Sequence, residues 1–152
     1  MSNKNVDLQA VSISVEKPEL KVGEFTKVEV ILKNNGPDSI PKADATCQIT
    51  LPATYLGKPS RFKSLLGKQW SLLGTITTLG KNGQHNMFFQ NNAGPIPLDN
   101  SKTFGFTFFV KGKKATAGEI SLTLASSLSG LAMSSDVNGT NQSVSAQLVV
   151  KK

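Results

Sequence analysis

Few side chains in this chain of 152 residues have the chemistry of catalysis or metal binding. His85 is the sole histidine and Cys47 the sole cysteine. A zinc site built from the usual ligands needs several His or Cys side chains, so one chain cannot supply it. A Ser-His-Asp arrangement would depend on His85 alone as the base, and a histidine beside a turn is expected to be exposed. We therefore predict a non-catalytic protein with no catalytic residues, no metal site and no cofactor.

The acidic residues lead to the same prediction. The ten carboxylates show no spacing that singles out an acid/base pair. Asp136, Asn138 and Thr140 have the spacing of the first ligands of a calcium loop, but Gln147 stands where the bidentate Glu is required. An isopeptide bond from a lysine near the start of the chain to Asn138 or Asn141 stays an open hypothesis.

The basic residues are concentrated in the middle of the sequence. Residues 45–98 contain no Asp or Glu and carry +5 of the formal net charge of +7. Residues 1–44 carry six cations and seven anions, and residues 99–152 carry six cations and three anions. The candidate interaction residues lie in a predicted loop at 55–70, and they are Lys58, Arg61, Phe62, Lys63 and Lys68.

This basic stretch also contains the aromatic residues Tyr55, Phe62 and Trp70. Cations interleaved with aromatic rings occur in grooves that bind single-stranded nucleic acid. No nucleic-acid-binding motif accompanies them, so we favour a solvated basic loop with Trp70 in the core. An acidic partner surface, such as the N-terminal third of a neighbouring copy, is a further possibility.

The elements that must position these residues are predicted to be strands. In residues 28–52, Val28, Val30 and Leu32 share one face, and a second alternating run places Cys47 on an apolar face. We expect Cys47 to be a small buried residue. A turn joins the two strands, and Gly36 and Pro37 suit it because they permit unusual or fixed φ values. The residues that define this turn are Asn34, Asn35, Gly36, Pro37 and Asp38.

Alternation continues along the rest of the chain. It slips at Ala10 and Val11, which predicts a bulge, and Asn82-Gly83 predicts a two-residue hairpin turn. Phe106 and Phe108 share an apolar face with Val110. We predict an all-β, Ig-like antiparallel β-sandwich of seven to nine strands. Residues 5–151 would form this single domain, and residues 1–4 a short N-terminal extension.

The order of these landmarks resembles the bacterial cell-surface Ig-like repeats. The similarity is strongest over residues 22–52, and it extends to Trp70 and to residues 136–141. The related families are the domain of unknown function numbered eleven and the cell-adhesion-related bacterial domain. Residues 55–69 have no counterpart in them. The resemblance implies a spacer, stalk or adhesive module that has no catalytic residues.

Three functional hypotheses follow. The first is a stalk, adhesion or filament-forming subunit of a bacterial surface or extracellular assembly, which contacts neighbouring copies or other domains and self-associates through residues 1–15 or 142–152. The second is an Ig-like decoration protein on a virion surface. The third is a module that binds acidic polysaccharide or nucleic acid through the 55–70 loop. No stretch approaches the ~20 apolar residues of a membrane span. The resemblance implies an extracellular or cell-surface location, and the second hypothesis places the protein on a virion surface instead.

Overall fold

The computed structural model of the chain describes residues 5–34, 38, 40, 45–64, 70–78, 80, 82–91, 104–128, 135–136 and 143–152. These residues form strands and turns, and no helix occurs among them. The all-β prediction is therefore confirmed. The strands are β1 (Asn5–Val6), β2 (Leu8–Val15), β3 (Glu19–Lys21), β4 (Phe25–Asn34), β5 (Ala45–Pro52), β6 (Ser60–Ser64), β7 (Ser71–Thr77), β8 (Gln84–Gln90), β9 (Phe104–Lys111), β10 (Ile120–Leu128), β11 (Ser135–Asp136) and β12 (Ser143–Lys151).

Ten of the strands make the two sheets of a sandwich. One sheet has six strands in the order β3-β12-β10-β5-β8-β7, and the other has four in the order β2-β4-β9-β6. Neighbours are antiparallel except for β3 and β12, which run parallel, and β1 and β11 form a separate parallel pair. The two sheets contain ten strands, more than the seven to nine predicted, because the short strands β3 and β6 join their edges.

The predicted core lies between the sheets. Side chains on a strand alternate between its two faces, and every second residue of β4 and β5 is buried, including Val28, Val30 and Cys47. Phe106 of β9 stacks on Phe89 of β8, with ring centroids 4.1 Å apart. Trp70 is buried beside these rings, which confirms the prediction that it belongs to the core.

Two predicted irregularities have different outcomes. The slip near Val11 is a bulge, because the pairing of β2 with β4 shifts between Ala10 and Ser12. The prediction of a two-residue turn at Asn82-Gly83 is wrong. Thr78 N–H donates to the carbonyl of Gln84 at 2.9 Å, so the connection is longer. Gly80, with a φ of 105°, supplies the left-handed conformation that the turn needs.

The structure describes the turn after β4 only at its two ends, Asn34 and Asp38. The Asn34 side chain is buried, and its Nδ2 donates to the Asp38 carbonyl at 2.7 Å. Its Oδ1 accepts from the backbone N–H of Asp7 at 3.4 Å. Asn34 thus fixes the end of β4 by bonding to backbone on both sides. Asn35, Gly36 and Pro37 lie outside the described residues.

Residues 55–69 are not simply the loop that the sequence suggested. They contain β6, which pairs with β9 through Lys63 opposite Thr107 and Ser64 opposite Phe106. Only Phe62 and Ser64 of this strand turn toward the interior. The apolar alternation is therefore too weak to identify β6 without its partner. No helix formed by the described residues is long and apolar enough to cross a membrane.

Candidate functional site

The outer face of the four-stranded sheet gathers cations and aromatic rings from three strands. Directly paired residues lie on the same face of a sheet, and Phe25 of β4 is opposite Lys111 of β9, while Lys27 is opposite Phe109. Strand β6 adds two more cations beside β9. We call this set the Arg61 surface, and its members are Phe25, Lys27, Arg61, Lys63, Phe109 and Lys111.

Arg61 occupies the centre of this surface. Its Cζ lies 5.5 Å from the ring centroid of Phe25 and 5.5 Å from that of Phe109. Lys111 Nζ also lies 5.5 Å from the Phe25 centroid. These distances are within the range of cation–π attraction. The guanidinium is thus held over two rings although the Arg61 side chain is exposed.

The backbone at Arg61 explains how the side chain reaches both rings. Arg61 has a φ of 57°, and it is the one non-glycine residue with positive φ in the described part of the chain. The pairing of β6 with β9 shifts between Ser60 and Lys63, on either side of it. A left-handed conformation costs a non-glycine residue about 1–2 kcal/mol. Bulges redirect side chains, and such strain is concentrated at functional sites.

The surface is strongly positive. Its four cations come from β4, β6 and β9, and the exposed Lys58 lies just before β6. Glu29 is exposed in the same strand phase as Phe25 and Lys27 and is opposite Thr107, so this face carries one carboxylate beside its four cations. The ion pairs found among the described residues, Lys17–Glu24 and Lys151–Glu19, do not include any of these cations. An acidic partner could therefore approach a face on which four cations outnumber the single carboxylate of Glu29.

The predicted interaction residues separate into three groups. Arg61 and Lys63 belong to the Arg61 surface, Lys58 precedes β6 in the chain, and Lys68 lies outside the described residues. Phe62 packs into the core instead, with its ring centroid 5.0 Å from that of Phe89 and 5.2 Å from that of Phe106. Phe62 therefore does not present its ring to a partner.

Sequence reasoning did not assign the members from β4 and β9 to an interaction surface, and for Phe109 it favoured a second inner face. Phe109 follows the buried Phe108, so alternation alone marks it as outward-facing, and that signal was present in the sequence. Phe25 and Lys27 become neighbours of Arg61 only through the pairing of β4 with β9, which spans about eighty residues of chain. No local sequence pattern predicts the pairing of β4 with β9.

His85 is not the exposed turn residue that we expected. It is 6% exposed, its Nε2 lies 3.0 Å from the Leu56 carbonyl, and its Nδ1 lies 2.8 Å from Thr77 Oγ1. A carbonyl can only accept, so Nε2 carries the proton and Thr77 donates to Nδ1. Burial lowers the pKa of the ring. Because both nitrogens are engaged, His85 has a structural position in the fold.

The outer face of the six-stranded sheet has the opposite character. Strands β5, β7, β8 and β10 contain no charged residue. Gln48 Nε2 and Thr50 Oγ1 both donate to Asn86 Oδ1 at 3.1 Å. Beside this polar network is a shallow groove of about 350 Å³, and it is lined by Thr46, Gln48, Leu73, Phe88, Ala125 and Ser127 among others. In the part of the chain that the structure describes, no three potential metal ligands cluster on either sheet.

Comparison with known proteins identifies the fold. No protein-family model matches the chain, and no curated protein matches it. Among solved structures, a CARDB domain of the Pyrococcus furiosus protein PF1109, in complex with di-metal ions, is 14% identical with a TM-score of 0.55, covering 99% of this chain and 98% of that one. A cohesin module from a Clostridium perfringens family 33 glycoside hydrolase is 13% identical with a TM-score of 0.53, at the same coverage.

A third solved structure has a different role. AvmM, which catalyses macrocyclization in alchivemycin A biosynthesis, is 11% identical with a TM-score of 0.51, covering 100% of this chain and 90% of AvmM. At these identities the similarity concerns the fold, and a catalytic role in one neighbour does not transfer to this chain. The chain has the β-sandwich fold that CARDB domains and cohesin modules share.

Proposed function

We propose that this chain is a non-catalytic interaction module of a bacterial surface or extracellular assembly, and that it binds an acidic protein surface through the Arg61 surface. The observation that carries the proposal is Arg61 itself. A non-glycine residue adopts positive φ in an edge strand, and its guanidinium stands over Phe25 and Phe109. A solvated surface cation needs neither feature.

The chemistry favours a carboxylate-bearing partner. Guanidinium presents a planar fork of donors that matches a carboxylate, and the rings of Phe25 and Phe109 restrict its motion. Lys63 and Lys111 add charge on either side, and long-range attraction to an acidic surface would speed its association. Phe25 is 44% exposed, so the site also offers apolar area at its rim.

Nucleic acid fits this surface less well than an acidic protein does. Single-strand binding requires free aromatic faces on which bases stack. Trp70 and Phe62 have their rings in the core, and the rings of Phe25 and Phe109 are already engaged by cations. In the proposed interaction, charge and hydrogen bonding therefore contribute more than base stacking does.

The fold supports the proposed class. Cohesin modules and CARDB domains are β-sandwich modules, and this chain matches one of each over nearly its full length. The engaged ring nitrogens of His85 also argue against a histidine-based reaction. The surface or extracellular location rests on the resemblance to bacterial cell-surface Ig-like repeats.

The test is a binding titration with defined polyanions. Poly-glutamate, heparin and a single-stranded oligonucleotide would each be titrated into the full chain at low and high salt. We expect poly-glutamate to bind in a salt-sensitive manner, and Arg61→Ala to weaken it by about two- to fivefold, the effect of losing one exposed charge and its ring contacts. Arg61→Lys should recover only part of the loss, because lysine lacks the planar fork.

Lys114→Ala is the matched control, because it removes one exposed cation that is not a member of this surface and changes the net charge equally. Equal effects of Arg61→Ala and Lys114→Ala would show that poly-glutamate senses net charge alone, and would contradict the proposal. Preferential binding of the oligonucleotide, lost in Arg61→Ala, would replace the acidic protein partner by nucleic acid.

A further inference from the structure

Strand β7 forms an open edge of the six-stranded sheet. It pairs with β8 along its length, and no strand from the described residues pairs with its other side. The outward N–H and C=O groups of an edge strand can pair with a strand from another chain. The edge at β7 is therefore a potential interaction surface on the sheet that does not carry Arg61.

Edges of this kind are usually protected, and β7 has only one of the usual protective devices. Its seven residues include no charge and no proline. Leu72, Leu73 and Ile76 are 41%, 56% and 60% exposed, which makes them half of the large apolar residues found exposed in the described chain. Natural sheets protect edges with charges, prolines, short strands or bulges. The bulge between Leu72 and Gly74 is the one such device in β7.

The other edge strands of the two sheets are β3, β2 and β6, and they differ in how they are protected from pairing. Strand β3 has three residues, of which Glu19 and Lys21 are charged and exposed. Strand β6 carries Arg61 and Lys63. Strand β2 resembles β7 in having no charge, no proline and one bulge, at Ala10, but Val11 is its one exposed large apolar residue, at 38%. Strand β7 differs from the other edges in having three such residues.

We propose that β7 pairs antiparallel with β7 of a second copy, so that the two six-stranded sheets join into one continuous sheet across a twofold axis. A strand that pairs antiparallel with its own copy is self-complementary, because the twofold axis makes each residue's environment the same in both copies. The exposed Leu72, Leu73 and Ile76 would then be covered by the same residues of the partner.

A second copy is the occupant whose edge matches β7, because it presents the same seven uncharged residues and the same exposed apolar side chains. The chain carries a net charge of +7, so two copies repel through most of their surface. Strands β5, β7, β8 and β10 carry none of that charge. An approach through β7 brings uncharged faces together and keeps the two Arg61 surfaces, which lie on the other sheet, apart. This inference goes beyond the proposed function, because it concerns a different surface and does not depend on an acidic partner.

The experiment is sedimentation or light scattering of the full chain over a range of concentrations. We expect a concentration-dependent dimer that persists at high salt, because apolar contacts and backbone hydrogen bonds hold it together. Ile76→Lys and Leu73→Lys should each weaken the dimer by at least about tenfold, because the twofold axis places two like charges at one interface.

Val22→Lys is the matched control, since Val22 is 45% exposed and lies in the turn after β3. It adds the same charge and should leave the dimer intact. Amide exchange on the wild-type chain supplies an independent readout, because β7 amides should become protected as concentration rises. A chain that stays monomeric at its highest soluble concentration overturns the proposal, and so does a dimer that Ile76→Lys and Leu73→Lys leave unchanged.

Discussion

At the residue scale, His85 couples solution pH to the stability of the fold. Burial lowers the pKa of its ring below the usual 6.5, the nearby Lys113 and Lys58 lower it further, and the hydrogen bond to the Leu56 carbonyl opposes them. The unfolded chain, in which the ring is solvated, therefore binds a proton more readily than the folded chain does. Protonation of His85 favours unfolding.

The sign of this effect gives the first prediction. As pH falls through about 6.5, the unfolded state takes up the proton first, so the free energy of unfolding should decrease until pH passes below the folded-state pKa. Above that window His85 contributes no pH dependence. Urea denaturation at a series of pH values between neutral and mildly acidic measures the slope.

His85→Gln is the control for this prediction. It removes the titrating group while leaving an amide that can donate to Leu56. The variant should be less stable than the wild type at neutral pH, but its stability should fall less between the two ends of the series. Parallel pH profiles for the two proteins would contradict a role of His85 in the pH dependence.

Residues in the interior were predictable when their strand phase was considered. Cys47 lies in phase with Ala45 and Ile49, and it is buried as predicted, so burial raises the pKa of its thiol. His85 lies in phase with Met87 and Phe89, which are also buried. The same argument would have placed its ring inside. Its nearness to a turn was the weaker signal, because the buried phase of β8 begins immediately after that turn.

At the element scale, Gly105 shows how closely β4 and β9 approach. Gly105 pairs with Ile31, and a Cβ added to Gly105 would overlap the carbonyl oxygen of Val30. The obstacle is backbone, which cannot rotate away as a flexible side chain can. Glycine at this position is therefore a requirement of the pairing between the two central strands of the four-stranded sheet.

We accordingly expect Gly105→Ala to lower the free energy of unfolding by about 1–3 kcal/mol, the usual cost of overpacking. Gly74→Ala in β7 is the matched control, because nothing lies within 4 Å of a Cβ at that position. The control should change stability by less than about 1 kcal/mol. Chemical denaturation of both variants measures the difference, and equal stabilities would mean that β4 and β9 can separate without cost.

The long strands could be recognised from sequence and the short ones could not. Strands β4, β5, β10 and β12 each have a sustained apolar alternation that matches their buried faces. Strands β3 and β6 have one or two inward residues, and their positions depend on pairing with β12 and β9. The candidate site follows the same rule. Arg61 and Lys63 were identifiable as cations, but the rings beneath Arg61 come from distant strands.

At the scale of the whole molecule, the two sheets differ in charge and in edge exposure. The four-stranded sheet presents the Arg61 surface, whereas four strands of the other sheet carry no charge. The sequence indicated a regional charge but not its division between two faces, because that division depends on which strands pair. The two proposed interactions therefore use different sheets of one sandwich.

Amide hydrogen exchange measured at low protein concentration should reflect the order of strands in each sheet. Strands β5 and β10 have neighbours on both sides, so their amides should exchange most slowly. The edge strands β7 and β3 should exchange faster, because half of their backbone groups face away from the sheet. Protection of β7 equal to that of β5 in the dilute monomer would show that this edge is covered within a single chain.

The parallel pairing of β3 with β12 has a mechanical consequence. Val149 N–H donates to the Pro18 carbonyl at 2.8 Å, and Val22 N–H donates to the Lys151 carbonyl at 2.8 Å, so bonds hold both ends of this short seam. Tension applied between the start of β3 and the end of β12 would pull the two strands past each other in shear. The hydrogen bonds between β3 and β12 would then have to break together rather than one after another. The pairing of these two strands would therefore resist stretching of the module.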